Sequence, residues 1–216
     1  MASVLFAPIA VYTFATSIRS SFPPLTATIK TVLSCDIYNL SSSPLQGILN
    51  FITFSFVEHL VYTWVWVSPE SFKLILKAKS NPTDRVHTLL IICKFLQLAT
   101  SLPYLLPYIT LPSSLSVTLF CTAFIALGQF LNFSVYKAIG KKGVYYGAKF
   151  GYSVPWVKGF PYNIGMPHPQ YLGTVVTYVA GWRLLVGENL DLEYGKVFVT
   201  GIGISYWGMS MIEQYV

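Results

Sequence analysis

The chain has 216 residues, of which 54% are hydrophobic and only 10% charged, with a formal net charge of +6. Soluble domains carry about 25% charged residues, so this composition excludes an ordinary soluble fold and describes an integral membrane protein. The lysines sit beside apolar runs, where they meet anionic lipid; the expected partners are bilayer phospholipids, and no nucleic acid is expected.

The first apolar run, Val4 to Ser17, is short, and no Lys or Arg precedes Arg19. It therefore lacks the basic n-region of a signal peptide. Residues 1–45 are expected to form an N-terminal interfacial or re-entrant extension, or a marginal span, ahead of a membrane-embedded region over 46–216. A helix needs roughly 20 apolar residues to cross about 30 Å of hydrocarbon. Runs of that size lie at 45–67, 88–110, 114–136 and 170–187, with a weaker one at 196–212. The expected fold class is all-α, a polytopic membrane helix bundle of about four to five spans.

Within the first span, Glu58 and His59 are adjacent and so do not share a helix face. They read as polar groups buried in the bundle, with substrate contact as the alternative. Cys35, Cys93 and Cys121 show no disulfide or metal spacing. Residues 68–87 hold Lys73, Lys77, Lys79 and Arg85 against Glu70 and Asp84. The connection 137–169 holds Lys137, Lys141, Lys142, Lys149 and Lys158 with no acid. Two spans separate these segments, so they share one side, which the Lys/Arg bias assigns to the cytoplasm or its equivalent. The turn Leu111–Ser114 and the acidic connection Glu188, Asp191, Glu193 fall on the other side. A fifth span returns Glu213 and Gln214 to the basic face.

Gly143, Gly147 and Gly151 repeat every four residues and are expected to form a helix-packing stripe. Gly201-Ile202-Gly203 also reads as helix packing, and Arg183 is expected to snorkel near Glu188. The most informative segment runs from Gly159-Phe160-Pro161-Tyr162-Asn163-Ile164 through His168-Pro169-Gln170-Tyr171-Leu172-Gly173. It sets polar groups against the mouth of a span, where they cost free energy unless they are partnered or used. Gln129 and Asn132 at the end of the third strong span, His168 and Tyr171 at the start of the fourth, and Glu213 near the chain end all converge on the basic face.

Residues 120–185 carry a resemblance in one register. Ala126-Leu127-Gly128-Gln129, Asn132 to Gly140, Gly143-Val144-Tyr145-Tyr146-Gly147 and the segment Val157 to Gly173 are similar to the small integral-membrane phospholipid N-methyltransferases, the phosphatidylethanolamine N-methyltransferase family, which is related to the isoprenylcysteine carboxyl methyltransferases. The resemblance implies S-adenosylmethionine as methyl donor. It implies cofactor contacts at Ala126, Gly128 and Gln129, where Ala126 stands for the first glycine of the family's Gly-x-Gly. It implies others at Glu213 and Gln214, where Gln214 replaces the second of two glutamates. For such a reaction His168 or Glu213 would serve as the general base; Tyr162, Asn163 and Tyr171 would orient the headgroup, and Lys141, Lys142 or Lys158 would meet its phosphate. The implied reaction is N-methylation of phosphatidylethanolamine or its mono- or dimethyl derivatives, in the endoplasmic reticulum or a mitochondrial membrane. The departures at Ala126 and Gln214 suit an alternative, an inactive methyltransferase-like subunit with a structural or lipid-binding role in a larger membrane complex. His168-Pro169 resembles the isoprenylcysteine enzymes and suits a lesser alternative, another lipophilic acceptor.

Overall fold

A computed structural model describes residues 42–78, 80–155, 157–165 and 168–215. The expectation for the N-terminal extension falls on residues 1–41, outside the described residues. Among the described residues the chain is helical, without strands. The principal helices are α1 (Ser42–Val67), α2 (Pro69–Ile75), α3 (Pro82–Leu105), α4 (Leu115–Val144), α5 (Pro169–Leu185) and α6 (Leu192–Tyr215). Prolines mark several starts: Pro69, Pro82 and Pro169 each sit in a first turn, where the missing N–H would have had no helical partner.

Three of these segments, at 43–67, 82–108 and 115–150, are long and apolar enough to cross a membrane by themselves. The last two expected spans fold as helices but do not reach that standard. Helix α5 has 17 residues, about 25 Å at 1.5 Å per residue. Helix α6 has 24 residues, but glycines, serines and charges dilute its apolar character. These two helices are carried by their neighbours: α4 packs along α5, and α1 packs along both α3 and α6. Large apolar side chains on α3 and α4, among them Phe95, Leu98, Phe120 and Phe133, point outward, as a lipid-facing surface requires.

The core divides into two levels. Ile48, Ile52, Leu105, Val197, Phe198 and Ile202 fill one cluster between α1, α3 and α6. Val65, Phe72, Val86, Leu90, Val135 and Val144 fill another beneath the basic connections. Two glycine contacts let helices approach closely. A Cβ at Gly128 would lie 2.4 Å from the Gly173 carbonyl and the Thr177 hydroxyl. A Cβ at Gly201 would lie 2.4 Å from Ile52 Cδ1, so the packing read for that segment is the α1–α6 crossing.

The stripe expected at Gly143, Gly147 and Gly151 does not form. The helix kinks at Gly140 (φ 67°) and ends at Val144; Gly147 opens a 3-10 turn and Gly151 closes it at φ 85°. Gly147 and Gly151 serve this turn while Gly143 stays in the last turn of α4, because repeated spacing aligns residues only while one helix continues.

The pairing of connections agrees with the charge-based sidedness. Asp84 meets Lys141 at 2.8 Å on the basic side. On the other side the Ser113 amide donates to Glu188 at 2.9 Å, and Asn189 donates to the Tyr108 carbonyl at 2.9 Å. Arg183 lies 3.8 Å from Glu188, as expected. Helix α6 does return Glu213 to the basic side, where it meets His168.

Candidate functional site

His168 precedes the first residue of α5, and its ring stacks on that of Tyr171, one turn later (centroids 5.2 Å apart, planes 14°). Glu213 approaches from the last turn of α6, with its side chain 11% exposed. Its Oε1 accepts hydrogen bonds from the hydroxyls of Tyr171 and Tyr146. Its Oε2 lies 3.1 Å from His168 Nδ1. A carboxylate has only acceptors to offer, so the proton of neutral His168 belongs on Nδ1 and the lone pair on Nε2. That Nε2 is buried and has no hydrogen-bond partner.

These groups border a cleft of about 110 Å³, lined by Tyr62, Tyr146, Tyr162, Tyr171, His168 and Glu213 together with apolar residues of α4. Burial first, and then the charge of Glu213, push the Tyr162 phenol up from its ordinary value. The cleft is therefore an anionic group surrounded by tyrosine rings, whose faces attract cations.

The other sequence candidates are distributed differently. Gly128 is buried in the α4–α5 crossing, while Ala126 is exposed; two residues along a helix turn the side chain to the far side. Gln129 donates to Thr177 Oγ1 at 3.0 Å. From residue 128 to Val135, where the cleft begins, α4 rises roughly 10 Å. Gln214 is exposed beside Glu213. Lys141 pairs with Asp84, and Lys142 Nζ lies 4.5 Å from the centroid of the Tyr152 ring. Lys158 and Asn163 are exposed on the segment entering the cleft. The structure thus brings together His168, Tyr171, Tyr162 and Glu213, and leaves Ala126, Gly128 and Gln129 apart from them.

Sequence reasoning missed Tyr62 and Tyr146 as site residues, since neither stands out among 15 tyrosines. It also missed Lys94. Glu58 is not paired with its neighbour His59; it is 2.5 Å from Lys94, which also donates to Tyr178 at 2.6 Å. His59 Nδ1 instead contacts the Ser55 carbonyl at 2.6 Å. A lone lysine within an apolar run was the available signal, because an intramembrane charge needs a partner.

Fold and cleft together define an integral membrane protein with an acidic, tyrosine-walled site at the basic end of its helices. A model of the phospholipid methyltransferase family matches residues 117–214, from the first turn of α4 to the end of α6. Phosphatidyl-N-methylethanolamine N-methyltransferase of Arabidopsis thaliana is 31% identical over 119 residues, covering 55% of this chain and 68% of that protein. No solved structure matches the chain. The chain belongs to the phospholipid methyltransferase family.

Proposed function

We propose that the chain is an S-adenosylmethionine-dependent N-methyltransferase acting on phosphatidylethanolamine or its mono- and dimethyl derivatives, in the endoplasmic reticulum or a mitochondrial membrane. The observation that carries this reading is the convergence of Glu213, His168 and tyrosines in one cleft, within the family-matched segment. The donor set fits a cation: a carboxylate, four tyrosine rings and an unpartnered imidazole nitrogen suit a sulfonium or an amine. A volume of about 110 Å³ is below the roughly 300 Å³ at which whole small-molecule pockets begin, so the cleft suits the charged end of such a molecule rather than all of it.

S-adenosylmethionine supplies an electrophilic methyl group on sulfur. The amine must lose a proton before its lone pair can attack, and His168 Nε2 is a basic atom lining the cleft that has no other partner. Glu213 Oε2 accepts from His168 Nδ1–H, which sets the tautomer with its lone pair on Nε2 and fixes the direction of the ring. Tyr162 stays a neutral donor beside the acceptor headgroup. With Lys141 and Lys142 already engaged, Lys158 is the candidate left exposed for the headgroup phosphate.

One observation favours a second reading. Gly128, the glycine expected to approach the cofactor, is closed against α5, as suits a methyltransferase-like subunit that holds lipid within a larger membrane complex. Calorimetric titration of the purified protein with S-adenosylmethionine separates the two. The enzyme reading expects binding, and transfer of labelled methyl to vesicles containing phosphatidylethanolamine or its N-methylated forms. Absence of both binding and transfer, with the protein folded, overturns it.

A further inference from the structure

We propose that Tyr146 is the positioning residue of this site: it fixes the carboxylate of Glu213 so that His168 is held with Nε2 free, an inference that rests on the methyltransferase reading above. The first observation is backbone strain. Tyr146 sits at φ 54°, ψ 35°, in the left-handed region. A bulky residue there is an outlier, and a helix that ends in this conformation ordinarily recruits glycine. The turn itself is simple: the Tyr146 amide donates to the Gly143 carbonyl at 3.2 Å, and its carbonyl accepts from Lys149 at 2.9 Å. Glycine would make both bonds without strain, so the local backbone gives no reason for tyrosine. Strained residues persist where their surroundings over-determine them, and they cluster at functional sites.

The second observation is what the side chain does. Its hydroxyl donates to Glu213 Oε1, and it lies 3.0 Å from the hydroxyl of Tyr171, which donates to the same oxygen. Its ring is held edge-on by Tyr62 (5.3 Å, 77°) and Trp66 (5.3 Å, 65°), both on α1. Two phenols on Oε1 leave Oε2 facing His168 Nδ1. Tyr171 belongs to the same helix start as His168, so it moves with the imidazole. Tyr146 ties the carboxylate to α4 and α1 instead, and makes its direction independent of small shifts of α5. The left-handed turn is the conformation in which the residue closes α4 and still reaches Glu213.

The test is a double-mutant cycle with Tyr146→Phe, which keeps the ring and removes the hydroxyl, and Glu213→Gln. For methyl transfer to N-methylated phosphatidylethanolamine, Tyr146→Phe is expected to lower kcat roughly tenfold, the scale of one hydrogen bond to a charged group. KM for the lipid and the melting temperature are expected to stay near wild type. In the Glu213→Gln background the same change is expected to cost no further activity. A kcat within roughly twofold of wild type, an equal loss in both backgrounds, or a loss that only tracks the folded fraction overturns the proposal. Infrared difference spectra supply a readout that does not need turnover. The carboxylate bands lost in Glu213→Gln should be shifted in Tyr146→Phe, and unshifted bands would equally overturn it. Bands that shift in Tyr146→Phe, while the wild-type protein transfers no methyl group, would instead reject the methyltransferase reading and leave the Tyr146–Glu213 coupling standing.

Discussion

Replacing Gly128 by alanine separates a helix-crossing glycine from a cofactor-cradling one. The added Cβ would lie 2.4 Å from the Gly173 carbonyl oxygen and 2.4 Å from Thr177 Oγ1, where ordinary contacts begin at 3.4 Å. The Thr177 hydroxyl can rotate only by giving up its bond to the Gly173 carbonyl, at 2.8 Å. The backbone carbonyl cannot rotate at all, so α4 and α5 must part by about 1 Å along their closest contact. Overpacking of this kind costs about 1–3 kcal/mol, and at about 2–4 °C per kcal/mol for a chain of this size the melting temperature should fall by about 2–12 °C. Thermal unfolding in detergent, followed by tryptophan fluorescence, reads this directly. Gly173→Ala meets the Gly128 carbonyl at 2.6 Å and should behave alike, and the double substitution should cost less than the sum because one separation relieves both clashes. An unchanged melting temperature in Gly128→Ala, together with lost S-adenosylmethionine binding, would refute the crossing and return Gly128 to the cofactor.

Lys94→Met strands the buried carboxylate of Glu58, and breaking one side of such a pair costs about 3 kcal/mol or more; melting should drop sharply, and adding Glu58→Gln should recover much of the loss. Lys141→Ala removes an exposed pair with Asp84, and since such pairs contribute little its melting curve should overlay that of wild type. The difference in ultraviolet titration between wild type and Tyr162→Phe should show a phenol ionising above the ordinary value of about 10, because burial and Glu213 favour its neutral form. The contribution of that phenol to stability is complete below the ordinary value and is lost as pH rises through the higher folded one; a midpoint at or below the ordinary value would contradict the geometry.

The membrane class and the sidedness were legible because they depend on summed composition and on parity, which tertiary detail does not alter. His168, Tyr171 and Glu213 were legible as a group for the same reason: each is a polar residue at a predicted helix end, and parity brings all three ends to one face. Tyr146 was not legible. Its role depends on α4 ending at Val144 in a left-handed turn, a conformation that tyrosine does not advertise. The stripe at Gly143, Gly147 and Gly151 misled because spacing alone cannot show that the helix has already ended. Lys94 was passed over because its partner Glu58 lies 36 residues away on another helix, and pairing between helices leaves no mark on local periodicity.

The position of the cleft follows from helix length. Helix α5 has 17 residues and α6 has 24, so at 1.5 Å per residue α6 is longer by about 10 Å. The two run antiparallel, and the last turn of α6 meets the first turn of α5, where Glu213 contacts both His168 and Tyr171. The chain closes the space around this meeting point with the 3-10 turn at 162–164 and with Tyr62 and Tyr146. On the proposed reading, this puts the charged groups at headgroup level, where a phospholipid amine reaches them while its acyl chains stay in the leaflet. A shorter α6 would withdraw Glu213 from the cleft, and a longer α5 would carry His168 past it. The meeting of the last turn of α6 with the first turn of α5 is what places the site at the basic end of the helices.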